Sequence, residues 1–309
     1  MKTVKRISAV LMLGAPLSLA AQSGGASEAA AEAVASGLGI NVPLVARLIG
    51  AGSTLYISSV DVANNSAVAA QVDFYLDGVD IATGTPISHA GSISGSGTLV
   101  AQGTGGVMRA KSNAHFDDFI DSLLHAGLLP SNIENDGFIG SVLFVFNGLN
   151  KSGQGEAKVR FYSSLAGGTV GQALRGHEIT GSEPQSLVAS VRDSRGKPGP
   201  QLYANLFINN TGLTPAGNPA TGAVGIKVQA FANSSGLAVG TPLNTSIGLG
   251  QTVGVNDVLH TLAVPASEDT ILVFVTVTSG NAAIAGVQAQ VDETTRDGST
   301  MDMGRADGD

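Results

Sequence analysis

The fold is decided by Val68-Ala69-Ala70-Gln71-Val72-Asp73-Phe74-Tyr75-Leu76. Successive side chains of an extended chain point to opposite faces. Val68, Ala70, Val72, Phe74 and Leu76 therefore share one side, and Ala69, Gln71, Asp73 and Tyr75 the other. The same period of two recurs elsewhere. Val224, Ile226, Val228 and Ala230 oppose Gly225, Lys227 and Gln229; Val287, Ala289 and Val291 oppose Gln288, Gln290 and Asp292; Val159 and Phe161 oppose Lys158 and Arg160. A dry face backed by a wet one is the pattern of antiparallel sheets packed against each other. Turn chemistry separates the runs at Asp77-Gly78, Asn147-Gly148, Ser235-Gly236 and Ser279-Gly280-Asn281.

Two runs show no polar face. Val142-Leu143-Phe144-Val145-Phe146 and Ile271-Leu272-Val273-Phe274-Val275 read as central strands buried on both sides. Helical spacing is scarce, and its best case places Phe116, Phe119, Ile120, Leu123 and Leu124 on one stripe.

The pattern also repeats. Val62-Ala63-Asn64-Asn65-Ser66 leads through an alternating strand to Ala82-Thr83-Gly84-Thr85-Pro86, as Phe207-Ile208-Asn209-Asn210-Thr211 leads to Ala238-Val239-Gly240-Thr241-Pro242. Asp117-Asp118-Phe119-Ile120 then matches Asn256-Asp257-Val258-Leu259, and a central apolar strand follows in each case. The expectation is an all-β chain of two tandem antiparallel β-sandwich domains, Ig-like or jelly-roll-like, at 47–178 and 182–292, with a short helix in the first. Residues 21–46, rich in Ala and Gly, read as a spacer or marginal helix, and 293–309 as an acidic disordered tail.

Residues 1–20 have the layout of a secretory signal peptide. Lys2, Lys5 and Arg6 precede an apolar run from Ile7 to Leu19, and the small residues around Ala20-Ala21 suit cleavage there. This implies a secreted protein, extracellular or periplasmic, with no transmembrane segment in its mature chain. Composition narrows the chemistry further. The 309 residues include no Cys and no Trp, which excludes disulfides, thiol nucleophiles and zinc–thiolate sites. A formal net charge of −8 without basic runs argues against nucleic acid as a partner.

Val45-Ala46-Arg47-Leu48-Ile49-Gly50-Ala51-Gly52-Ser53-Thr54-Leu55-Tyr56, running into Ser59-Val60-Asp61-Val62-Ala63-Asn64-Asn65-Ser66, resembles the opening of a secreted bacterial β-sandwich domain. Asn256-Asp257-Val258-Leu259 is similar to later elements of the same broad, mostly uncharacterised group of tandem Ig-like proteins. The resemblance covers roughly residues 44–292. It implies the sandwich fold and no catalytic residues.

The search for chemistry centres on one helix. Asp117, Asp121 and His125 fall at i, i+4 and i+8, so on a continuous helix they share a face that suits a divalent metal. The same spacing describes a solvated polar face opposite the apolar stripe, with early aspartates complementing the helix dipole. No nucleophile elbow, His-Glu-x-x-His pair or phosphate-binding glycine loop occurs, and no cofactor other than that metal is expected. Sequons at Asn64, Asn150, Asn209, Asn233 and Asn244 read as turn chemistry.

The favoured expectation is a secreted, non-catalytic structural, adhesive or interaction protein whose partner is a protein or glycan at the cell surface or in the extracellular matrix. The alternatives are a secreted hydrolase or metal-dependent enzyme using the His115–His125 region, and a carbohydrate-binding module. The last requires two or more of Tyr56, Tyr75, Tyr162 and Tyr203 on one exposed face.

Overall fold

The computed structural model describes residues 25–49, 55–165, 168–199, 201–266, 270–292 and 298–306. The signal-peptide segment 1–20 lies outside them. The N-terminal half carries α1 (Gly25–Val34), β1 (Gly37–Ile49), β2 (Leu55–Asn64), β3 (Gln71–Asp80), β4 (Pro86–Ile93), β5 (Leu99–Ala101), β6 (Ser112–Phe116), α2 (Phe119–His125), α3 (Ile133–Asp136), β7 (Phe138–Asn147), β8 (Gly155–Leu165), β9 (Gly168–Arg175) and β10 (His177–Glu178). The C-terminal half carries β11 (Ser186–Arg192), β12 (Leu202–Asn210), β13 (Val224–Ala232), β14 (Ala238–Ile247), β15 (Thr252–Val255), α4 (Val258–Thr261), β16 (Thr270–Ser279), β17 (Ile284–Asp292), β18 (Gly298–Asp302) and β19 (Gly304–Arg305).

The chain is all-β, and its strands pair antiparallel. In the C-terminal half, a sheet of order β14-β13-β16-β11-β19 faces another of order β15-β12-β17-β18. Ala189, Val191, Val228 and Val273 of the first meet Leu206, Ile208 and Ile284 of the second in one core, which makes a sandwich. The N-terminal half has a single continuous sheet, β5-β4-β3-β7-β1-β2-β8-β9, with β6 on β2 and β10 on β1. It folds over at the β1–β2 hairpin, so that Ile40, Phe74 and Phe144 share a core with Val60, Val159 and Leu174.

The two orders correspond. β4-β3-β7-β1 matches β14-β13-β16-β11, and β6-β2-β8-β9 matches β15-β12-β17-β18, strand for strand in chain order. A short helix precedes the central strand in each half: α2 with α3 before β7, and α4 before β16.

Several expectations change. Apolar residues Leu38, Ile40, Val42, Leu44 and Val45 put β1 inside residues that read as spacer, and it is buried along most of its length. The acidic tail supplies β18 and β19, because the open edges of β17 and β11 accept them and Met303 sinks into the second core. Phe116 closes β6 opposite Val60 and is not part of α2. Asp118 stays extended at φ −134°, ψ 103°, so the helix cannot start earlier than Phe119.

The face of β3 expected to be wet is covered, with Asp73 and Tyr75 both buried. β7 is buried on both sides as its composition requires, whereas β16 alternates, leaving Leu272 and Phe274 half-buried. Gly78 and Gly140 pair across β3 and β7, and a Cβ on either would strike the other strand's backbone and the Phe138 ring.

Candidate functional site

The helix expected to carry a metal is held by local pairing. The Asp118 carboxylate accepts the Asp121 N–H at 3.1 Å, an N-cap that satisfies one donor of the helix start. Arg47 of β1 pairs with Asp118 and reaches Asp121 at 3.7 Å. Burial pushes the Asp118 carboxyl above its usual range, against the opposing pull of the Asp121 amide and the Arg47 charge. His125 lies on Asp121, its Nδ1 3.0 Å from the backbone oxygen and 3.2 Å from the carboxylate.

Asp117, just outside the helix, goes elsewhere. Its carboxylate is 3.0 Å from Nε2 of His115, whose Nδ1 is 2.7 Å from Asp61. Those two hydrogen bonds raise the His115 pKa. The structure thus joins Asp121 to His125 and Asp117 to His115. Among the described residues no three His, Asp or Glu side chains converge on a common point.

The remaining histidines are scattered. His89 of β4 has a buried Nε2 without a partner, and burial lowers its pKa. His177 of β10 meets the buried Glu183 at 2.7 Å, and His260 lies in the last turn of α4. No sequence signal points to the His177–Glu183 pair, because its partners only meet when β10 docks on β1.

Nor do the tyrosines share a face. Tyr56 stacks on Phe161 with ring centres 5.6 Å apart, while Tyr162 is on the opposite side of the same sheet beneath Arg160. Tyr75 is buried, its hydroxyl accepting from Gln102 at 3.0 Å, and Tyr203 belongs to β12 of the C-terminal half.

Of the sequon asparagines, Asn64 and Asn209 have fully buried, hydrogen-bonded side chains.

The largest difference between the two halves is on the outer face of the corresponding four-stranded layers. On β3 and β7, Tyr75, Leu143 and Val145 are covered by Ala29, Ala30, Ala33 and Val34 of α1. On β11, β13 and β16 the equivalent face presents Val188, Phe231, Leu272 and Phe274, all half-buried, with no described element over them. Phe231 and Phe274 meet edge to face at 5.3 Å and 80°, and register places Leu272 between Phe231 and Ser190. Lys227 and Arg192 flank this apolar group and have no carboxylate partner among the described residues.

At the Arg192 end the face runs into a cleft of about 440 Å³ lined by Ser190, Arg192, Asp193, Ser194, Lys197, Pro198, Thr270 and Gln290. The buried Asp193 beneath it is neutralised by Arg195 at 2.7 Å, and its carboxyl stays ionised below the usual range.

The unbroken apolar run of β16 hides which of its residues point outward. Lys227 and Gln229 on the neighbouring strand, opposite Thr276 and Phe274, carry that information.

Comparison with protein-family models and with curated proteins gives no match to this chain. No described helix is long and apolar enough to cross a membrane. The described residues form antiparallel sheets in two corresponding sets, one with an outer face covered by a helix and one with no described element over that face.

Proposed function

We propose that this is an exported, non-catalytic interaction protein of the cell surface or extracellular matrix, built from two copies of one β-sandwich unit and similar in that respect to secreted bacterial Ig-like proteins. The reading is carried by one observation: the same layer occurs twice, closed by α1 in the first copy and presenting Val188, Phe231, Leu272 and Phe274 in the second. A half-buried aromatic pair on an open sheet face, rimmed by Lys227 and Arg192, has the composition of a recognition surface. Support against a hydrolytic role comes from the His115–His125 region, where the carboxylates are already engaged with histidines, Arg47 or a helix end.

The test is direct. Protein recovered from an export-competent host should begin at Ala21, and it should bind a purified matrix protein or a glycan in a saturable way that Phe274→Ser abolishes. Turnover of esters, peptides or glycosides that His115→Ala removes would overturn the reading in favour of an enzyme.

A further inference from the structure

We infer that the open face of β13-β16-β11 is a docking site for a short, alanine-rich helix of a partner protein that bears a carboxylate near each end; the inference rests on the interaction role proposed above. Two independent observations lead to it.

The first is the cover on the corresponding layer. Across β3, β7 and neighbouring strands that cover is a ten-residue helix, and it contacts the sheet through Ala29, Ala30, Ala33 and Val34. Small side chains let a helix axis approach the pleated surface closely, so that Tyr75 and Leu143 fill the space beneath it. The second layer has the same strand order and again places aromatic and aliphatic side chains at its centre, Phe231 and Phe274 beside Leu272. The same kind of helix fits it.

The second observation is charge. Asp73 and Asp77 stand on the covered layer, whereas the described residues of the open face carry Lys227 and Arg192 and no carboxylate. Lys227 is opposite Thr276 and Arg192 opposite Thr270, which puts the two cations about 20 Å apart along β16, at a rise of roughly 3.3 Å per residue. On a helix that separation is about four turns at 1.5 Å per residue. A partner helix of that length would place the apolar stripe over Phe274 and Leu272 and one carboxylate at each cation, the Arg192 end opening into the cleft whose lining adds Lys197 and the Arg195-paired Asp193. Two copies of this chain packed face to face would instead bring Lys227 and Arg192 against like charges. That disfavours self-association through this surface.

The experiment uses the full chain and two fluorescent peptides with the sequence of residues 22–36. One carries Gln22→Glu and Ser36→Glu, the other Gln22→Lys and Ser36→Lys. Both substitutions flank the small-residue stripe and lie about 21 Å apart on a helix. Anisotropy titration should show the glutamate peptide binding at least tenfold more tightly than the lysine peptide. The order should reverse on a chain carrying Lys227→Glu and Arg192→Glu, surface changes that leave the core untouched. Phe274→Ser should weaken both.

Equal affinities, or affinities insensitive to Phe274→Ser and to the charge reversal, would overturn the inference. So would concentration-dependent dimerisation of the chain alone that Phe274→Ser abolishes, which would give the face to a second copy. Saturable binding of a matrix protein or glycan alongside a failed peptide titration would sink this inference and leave the interaction role standing.

Discussion

Asn64 and Asn210 show at the level of single residues how closely the two halves correspond. Each ends the second strand of its half and is fully buried. The Asn64 carboxamide donates to the carbonyls of Val68, Met108 and Arg109 at 2.9–3.3 Å and accepts the Ser66 N–H at 3.0 Å. Asn210 donates to Gly222 and Ile247 at 3.3 and 3.1 Å and accepts the Gly212 N–H at 3.0 Å. Both therefore close a turn and tie a distant loop to it. The sequence match sets Asn64 against Asn209; alternation corrects this by one residue, because Val60 and Val62 face inward as Leu206 and Ile208 do. Removing either carboxamide strands several buried carbonyls, each costly to leave unpaired. Asn64→Ala and Asn210→Ala should each lower stability by about 2–3 kcal/mol in urea melts, while Asn150→Ala, at an exposed turn, should stay within about 0.5 kcal/mol. Equal mildness at all three positions would remove the role assigned to the buried pair.

Among the elements, the helices differ most from their sequence pattern, and each for a local reason. Asp117-Asp118 leaves the cap ambiguous on paper; the extended Asp118 backbone and its bond from Asp121 N–H settle it, and Asp117 drops out of the helical face. The equivalent Asp257 has φ 38°, a left-handed conformation from which its side chain makes no cap, so α4 is short. Strands with alternating composition, such as β13 and β17, are legible to within two or three residues, because one inward and one outward face is a local property. β1, β18 and β19 are not, since their place depends on edges formed by strands far along the chain. α1 is the clearest case: a ten-residue alanine helix is marginal alone, and the sheet beneath it supplies its stability. Burial there, with a contribution from Asp73, lifts the Tyr75 hydroxyl to about 12. Ala30→Gln, which forces a long neutral polar side chain into that contact, should bring the Tyr75 titration down toward 10, read by ultraviolet absorbance against the other tyrosines. An unchanged Tyr75 would mean that α1 does not seal this face. In the same half, Phe119 of α2 meets Phe74, Phe116 and Phe144 edge to face at 5.6–5.9 Å. Phe119→Ala should cost about 3–5 kcal/mol in denaturant melts, as large cavities in aromatic cores do.

Over the whole molecule, the question is what joins two corresponding halves into a cooperative body, and here buried polar ties stand beside apolar contacts. At the junction, Glu183 is held by His177 at 2.7 Å and by the Thr180 N–H at 2.8 Å. The hydrogen bond that His177 donates to Glu183 raises the His177 pKa, reinforced by Asp302 and opposed by burial and Arg305. Bonds to His177 and Thr180 hold Glu183 down despite its burial. The raised histidine stabilises fully below its ordinary 6.5 and loses that contribution as pH rises through its folded value; the depressed glutamate stabilises above its ordinary 4.5 and loses it as pH falls through its own. The junction should be firmest between those limits, and His177→Gln should flatten the alkaline side of a Tm–pH curve. A second tie is buried. Asn209 donates to Ser141 Oγ at 2.9 Å and to Gly250 O at 3.1 Å, and accepts from Asn41 at 3.2 Å; Thr252 donates to Pro43 O at 3.2 Å. Phe207 and Val287 of the C-terminal half pack into the first core beside this network. Asn209→Ala would leave the Asn41 amide without its acceptor and Ser141 with only its bond to Gly250 O, both facing a void, a loss of about 2–3 kcal/mol concentrated at the contact between the halves. The chain should therefore change from one calorimetric transition to two, while each half keeps its own core. A single, merely shifted transition would show that the apolar contacts of Phe207 and Val287 couple the two sets of sheets without the asparagine.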